Sequence, residues 1–190
     1  MELNISKTIP EQLSALAQIE IEELHEYKGT DLCDLCDATE ATMRDTYGFS
    51  IGFNRYESPG RSQLESYFRG ILLVPEREII VGRFDKVIAG SIQLVKPSPS
   101  NETSAFAANV DNHFVAPWAR GFGLAKALLV AAEDKAREDG FTVIKLSVRA
   151  NREAAIKLYE SCDYTRWGTL DKYEMYGGEI IAGHFYYKNL

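Results

Sequence analysis

The spacing of apolar residues along the first quarter of the chain predicts mainly helix. Apolar positions repeat there every three or four residues, at Leu13, Leu16, Ala17, Ile21 and Leu24. Gly29 is expected to end this helix, because glycine adopts the left-handed conformation that closes a helix. A short strand is predicted before it, at residues 3–8, and a second helical piece after it, within residues 30–55.

The middle of the chain predicts one helix and then a pair of strands. Apolar side chains share a helical face over residues 64–72. Two strands, at residues 78–84 and 87–95, flank the turn Asp85-Lys86, which is the pattern of a hairpin. A long strand is then expected over residues 103–115.

In the second half of the chain, predicted helices alternate with predicted strands. A helix that follows a glycine-containing turn is expected to stop at Gly140, and a strand follows at residues 143–148. Asn151 is the expected N-cap of a helix over residues 152–162. Two strands near residues 164–175 and 180–187 complete a mixed α/β chain, in which most strand neighbours are expected to be antiparallel.

Composition narrows the class of protein. The length of 190 residues suits one domain, and the net charge of −7 makes a nucleic-acid partner unfavourable. No apolar run is long enough to span a bilayer, and no signal-like leader opens the chain, so a cytoplasmic protein without a membrane partner is expected. The three cysteines predict neither disulfides nor a metal site.

The negative charge is concentrated near the N-terminal side. Nine acidic residues lie between Glu20 and Asp45, against the two bases Lys28 and Arg44. One interpretation is a solvated helix face, and the other is a rim that attracts a cationic ligand.

The turn at residues 120–125 carries the strongest chemical signal. A strand runs into Pro117, and Gly121 and Gly123 then open a helix. The first backbone N–H groups of a helix have no intrahelical acceptor and carry the positive end of the helix dipole. Together with Arg120, they predict an anion site that suits phosphate groups.

Arg120-x-x-Gly123-x-Ala125 resembles the signature of the GNAT superfamily of acyl-CoA-dependent N-acetyltransferases. A second segment of that family, N-x-x-A-x-x-L-Y-x-x-x-G-F, is matched from Asn151, with Asp163 at the usual glycine. The likeness extends over residues 1–190, and it implies a single GNAT domain, acetyl-CoA as cosubstrate and no metal. It places the coenzyme against Phe114, Val115, Arg120, Gly121, Phe122, Gly123, Leu124, Ala125, Asn151, Ala154 and Tyr159.

The resemblance also implies the roles of the reacting groups. Tyr159 is the expected general acid beside the coenzyme's sulfur. Asn109 stands where relatives often carry a glutamate, and it cannot take up a proton. By strand alternation Asp111 and His113 share its face, so they are the candidates for the general base. A core histidine and a base acting through water are the alternatives.

The implied acceptor is a small amine or amino-acid-like molecule, whose amine attacks the thioester of acetyl-CoA directly, without an acyl-enzyme. Its expected surroundings are the acidic segment, the loop at residues 47–53, and Tyr173, Glu174 and Tyr176. The C-terminal residues resemble a bacterial GNAT group that includes tabtoxin-resistance-type enzymes, and the family also implies a homodimer. A protein or peptide acetyltransferase and a silent acyl-CoA sensor are alternatives. A dinucleotide-binding enzyme fits poorly, because Lys126 stands at the third glycine of that motif.

Overall fold

The computed structural model describes residues 18–45, 51 and 60–190, in which seven strands form one sheet with four α-helices. The strands are β1 (Ile19–Leu24), β2 (Arg77–Phe84), β3 (Val87–Val95), β4 (Ala107–Val115), β5 (Val143–Arg149), β6 (Thr165–Tyr176) and β7 (Glu179–Asn189). The helices are α1 (Asp31–Asp45), α2 (Arg61–Ile71), α3 (Leu124–Glu138) and α4 (Glu153–Ser161). Among these residues, no helix is long and apolar enough to cross a membrane.

The sheet has the order β1-β2-β3-β4-β5-β7-β6. All neighbours are antiparallel except β4 and β5, which run parallel. Their ladder extends only from Ala107↔Val143 to Val110↔Leu146. Because the pairing stops there, the later part of β4 faces an opening rather than a neighbouring strand.

Apolar side chains cover both faces of the sheet. One cluster joins the sheet to α3 and α4 and is built around Leu128, Leu129 and Ile144. The other joins it to α1 and α2, around Leu35 and Phe68. The two clusters fix the helices on opposite faces and so hold the opening between β4 and β5 in place.

Several sequence-based predictions are confirmed. The α/β class, the mostly antiparallel sheet of seven strands and the four helices match the described part of the chain. Asp85 and Lys86 both have positive φ (50° and 72°), as a tight hairpin turn requires. Gly140, with φ of 85°, follows the end of α3.

The helix predicted to extend to Leu24 is wrong in its described part. Residues 19–24 form β1, in which Ile19 pairs with Phe84 and Leu24 with Ile79. Ile19 and Ile21 alternate with glutamates, so a period of two applies where a helical period was assigned. Gly29, with φ of 52°, lies in the turn before α1 and ends no helix within the described residues.

Two further boundaries differ from prediction. Residues 102–104 form a short 3₁₀ helix, so β4 begins at Ala107 rather than at residue 103. Arg152, not Asn151, is the N-cap of α4, because its carbonyl accepts the first intrahelical hydrogen bond, from the Ile156 N–H at 3.0 Å. The predicted strand at residues 3–8 lies outside the described residues, as does most of the loop at 47–53.

A buried ion pair fastens the last strand to α3. Lys188 Nζ of β7 lies 2.7 Å from Glu133 Oε2 of α3, whose side chain is 5% exposed. Removing one partner of a buried pair leaves a charge with reduced compensation, which costs more than losing a surface pair.

We therefore expect Lys188→Met to lower the free energy of unfolding by about 2–3 kcal/mol in a urea titration. Arg44→Met is the matched control, because it breaks the exposed pair with Glu40 and should cost less than about 0.5 kcal/mol. Equal losses in both variants would contradict this assignment.

Candidate active site

A β-bulge in β4 shapes the site. Ser91 pairs with Phe114 and Gln93 with Asp111, so Asn112 and His113 together oppose one residue of β3. Asn112 has a φ of 48°, a conformation that asparagine tolerates better than most residues. The extra residue breaks the alternation of side chains along the strand.

The bulge sends its side chains to different partners. His113 hydrogen bonds to Tyr159 of α4 and to the Ala125 carbonyl of α3, whereas Asn112 Nδ2 donates to Tyr67 Oη at 2.7 Å. Asp111 lies 3.3 Å from Arg77 of β2. The expectation that Asp111 and His113 share one face by alternation is therefore wrong, although both border the same cavity.

The turn before α3 has the geometry of an anion site. Gly121 and Gly123 have φ of 87° and 84°, and Gly123 is the N-cap of α3. The N–H of Ala127 is the first to bond within the helix, to the Gly123 carbonyl at 3.0 Å. The N–H groups before Ala127 therefore have no acceptor within the helix and point out of its N-terminus, where the helix dipole favours a phosphate.

A cavity of about 610 Å³ lies between this turn, the end of β4 and the start of α4. Nine of the eleven residues predicted to bind the coenzyme line it: Phe114, Val115, Arg120, Gly121, Gly123, Leu124, Ala125, Asn151 and Ala154. Phe122 instead packs on Phe84, with ring centroids 4.7 Å apart, and Tyr159 lies in the wall of a neighbouring cavity.

The guanidinium of Arg120 also connects the end of β4 to the end of α1. Its Nε donates to the Val115 carbonyl at 3.1 Å, and Nη1 lies 2.6 Å from Asp45 at the end of α1. Thr42 of α1 and Arg152 of α4 line the cavity as well. Neither was predicted from the sequence as a site residue. No motif connects α1 with the turn at residues 120–125, and Arg152 was assigned only to the helix over residues 152–162.

Burial sets the protonation of the two groups that meet in the cleft. Tyr159 is buried and His113 is partly buried, with His113 Nδ1 3.2 Å from Tyr159 Oη. Desolvation lowers the pKa of His113 to about 4 and raises the pKa of Tyr159 above its usual value. At neutral pH the site therefore holds a neutral imidazole and a protonated phenol.

A second cavity, of about 160 Å³, is bordered by Tyr159 and adjoins the larger cavity. Asp111, Asn112, Arg149, Tyr173 and Glu174 border it, and His113, Arg152 and Ala155 line both cavities. Tyr173 and Glu174 were predicted there, whereas Arg149 was missed. Arg149 Nε donates to Glu174 Oε2 at 2.6 Å, and its guanidinium lies 5.4 Å from the centre of the Tyr176 ring.

The acidic segment is largely neutralised by neighbours. Arg83 binds Glu22 and Asp31, and Arg61 binds Asp37. Asp45 reaches the larger cavity's rim through Arg120. These ion pairs weigh against a rim that attracts cations. The other interpretation, a solvated helix face, does not fit Glu20, Glu22 and Glu23, which lie on β1.

A glycine-containing turn with free helix N–H groups beside a cavity of about 610 Å³ suits a ligand that carries phosphate groups. The profile of the acetyltransferase (GNAT) family matches residues 40–164. The chain belongs to this family, and it is an N-acetyltransferase that uses acetyl-CoA. Asp163, at the family's usual glycine, has a φ of 65°, which aspartate tolerates.

Known proteins agree with this assignment. An uncharacterized N-acetyltransferase from the hisH–hisA intergenic region of Azospirillum brasilense is 47% identical over 134 residues, covering 70% of this chain and 77% of its own. An N-acetyltransferase from Staphylococcus aureus Mu50 has the same fold, with a TM-score of 0.71, 20% identity and coverage of 90% and 98%. A protein from Salmonella typhimurium assigned as an acetyltransferase, solved with its cofactor acetyl-CoA, gives a TM-score of 0.68, 17% identity and coverage of 90% and 93%. The likeness to tabtoxin-resistance-type enzymes stays a prediction.

We expect Gly123→Ala to weaken acetyl-CoA binding about tenfold or more, because alanine disfavours the positive φ that aims the turn's N–H groups. Isothermal titration calorimetry measures this change. Gly140→Ala is a matched control, since it places alanine at an almost identical φ of 85° at the other end of α3. Equal binding by the two variants would contradict an anion site at this turn.

Proposed function

We propose that the protein transfers the acetyl group of acetyl-CoA to the primary amine of a small, amino-acid-like molecule by direct attack. The observation that carries this proposal is the position of the Tyr159 hydroxyl. It bonds to His113, a residue shared by the coenzyme-sized cavity and the small polar cavity beside it. From the small cavity, which it borders, this hydroxyl would act on a thioester held beside His113 in the larger cavity and on an incoming amine.

The larger cavity supports the coenzyme assignment. The turn at residues 121–126 would hold the pyrophosphate through its N–H groups, with Arg120 adding positive charge. Among the described residues, the backbone of β4 beyond Val110 has no strand partner on the β5 side, so it would pair with the extended pantetheine arm. Its N–H groups would polarise the thioester carbonyl where negative charge develops.

The reacting protons need two groups. The amine nitrogen forms a bond to the carbonyl carbon, and the carbon–sulfur bond breaks. We assign Tyr159 as the acid that gives its proton to the leaving thiolate, because burial keeps the phenol protonated. We assign Asp111, a carboxylate on the small cavity, as the group that receives the proton lost by the amine, directly or through water.

The small cavity supports the acceptor class. Its volume of about 160 Å³ suits a molecule of amino-acid size better than a folded protein surface. Its walls carry both charge signs, with Asp111 and Arg152 beside the ion pair of Arg149 and Glu174. An acceptor with an ammonium and a carboxylate, as in an amino acid, matches this mixture. A peptide acceptor and an acyl-CoA sensor are the alternatives that the assay below separates.

We expect measurable release of free coenzyme A when acetyl-CoA and a panel of amino acids, diamines and short peptides are supplied. With the best acceptor, Tyr159→Phe should lower kcat by about 10²-fold without changing acetyl-CoA affinity, because a general acid contributes on that scale.

Tyr186→Phe is the matched control for this experiment. It removes the hydroxyl of another buried tyrosine, which donates to Glu160 at 2.9 Å and borders neither of the two cavities described above. If the wild type binds acetyl-CoA but releases no coenzyme A with any acceptor, the acyl-CoA sensor is favoured. If only the peptides are acetylated, a peptide acceptor replaces the proposed small-molecule acceptor.

A further inference from the structure

His113 is held by two hydrogen bonds that determine which of its nitrogens carries the proton. Nε2 lies 3.0 Å from the carbonyl oxygen of Ala125, and Nδ1 lies 3.2 Å from Tyr159 Oη. A carbonyl oxygen only accepts, so Nε2 carries the hydrogen. In a neutral imidazole Nδ1 is then an acceptor, and the Tyr159 hydroxyl donates to it.

This arrangement leaves His113 poorly suited to take the amine's proton. The side chain is partly buried, and desolvation lowers its pKa to about 4. Its accepting nitrogen is already occupied by the Tyr159 hydroxyl. The ring does, however, join two parts of the site, since Ala125 belongs to the first turn of α3 and Tyr159 to α4.

We propose that His113 is a positioning residue whose neutral imidazole, anchored on the Ala125 carbonyl, holds the Tyr159 hydroxyl beside the coenzyme's thioester. The proposal rests on the function proposed above, in which Tyr159 is the acid. Through its two hydrogen bonds, His113 connects Tyr159 to the start of α3, where the pyrophosphate is proposed to bind. Binding the coenzyme and aligning its sulfur with the phenol are thereby parts of one rigid arrangement.

The proton transfer is compatible with this hydrogen bond. A thiolate is a charged acceptor and competes well with a neutral imidazole, so the hydroxyl rotates from Nδ1 towards the sulfur. The O–H bond of Tyr159 breaks as the S–H bond forms. Asp111 then passes the proton that it took from the amine to the phenolate, directly or through water. The imidazole remains neutral throughout.

Three substitutions separate positioning from proton uptake. His113→Asn places an amide oxygen near the Nδ1 position, where it can accept from Tyr159. His113→Gln places an amide N–H near the Nε2 position, which keeps the bond to Ala125 but loses the acceptor. His113→Phe removes both bonds. An amide accepts a hydrogen bond but does not take up a proton in this pH range, so only the positioning role is rescued by asparagine.

We expect His113→Asn to keep kcat within about threefold of the wild type, and His113→Gln and His113→Phe to lower it about tenfold or more, as the loss of one buried hydrogen bond predicts. Acetyl-CoA affinity by calorimetry should be unchanged, which also checks folding. The pH profile of kcat in His113→Asn should keep the wild-type limbs. In a Tyr159→Phe background, His113→Gln should cause no further loss.

Equal loss of kcat in all three variants, with Tyr159→Phe impaired as expected, would overturn the positioning role alone and make His113 the proton acceptor. A Tyr159→Phe enzyme with wild-type kcat would overturn the proposed role of Tyr159, and with it this inference. If His113→Phe fails to bind acetyl-CoA, the comparison of asparagine with glutamine decides.

Discussion

The site depends on a single extra residue in β4. The bulge at Asn112 and His113 turns one side chain towards Tyr67 on one face and the next towards Tyr159 on the other. Without the bulge, alternation would place His113 on the face of Asp111, which contacts Arg77, and not on the face of Tyr159. The hydrogen bond from Asn112 to Tyr67 supports a backbone conformation, φ of 48°, that few side chains accept. The parallel ladder to β5 ends just before this point, so the bulge and the opening coincide.

Low dielectric around that opening then determines the chemistry. Burial penalises charge, so His113 stays neutral and Tyr159 stays protonated. Arg120 pairs with Asp45 beside the larger cavity, and Arg149 pairs with Glu174 beside the smaller one. The uncharged pair of His113 and Tyr159 therefore lies among charged groups, and Asp111 and Arg152 line the same small cavity.

The features that the sequence predicts well are those determined by local chemistry. Gly121 and Gly123 specify positive φ, and the following apolar stripe specifies a helix, so the position of the anion site follows from these residues alone. The hairpin turn at Asp85 and Lys86 is equally local. Prediction fails where tertiary pairing decides. Ile19 to Leu24 fits a helix or a strand, and only the neighbouring β2 selects the strand. Strand alternation misplaces Asp111 because a bulge has no clear signature in one sequence. Thr42 and Arg152 are far apart in sequence, and only the folded chain brings both to the larger cavity.

The most direct test of this account is a crystal structure of the protein with acetyl-CoA or a non-hydrolysable analogue. The account predicts the pyrophosphate on the N–H groups of residues 121–126, the pantetheine arm along β4, and the sulfur within hydrogen-bonding distance of Tyr159 Oη. A coenzyme bound in this cleft with its sulfur out of reach of Tyr159, or bound elsewhere on the protein, would contradict it.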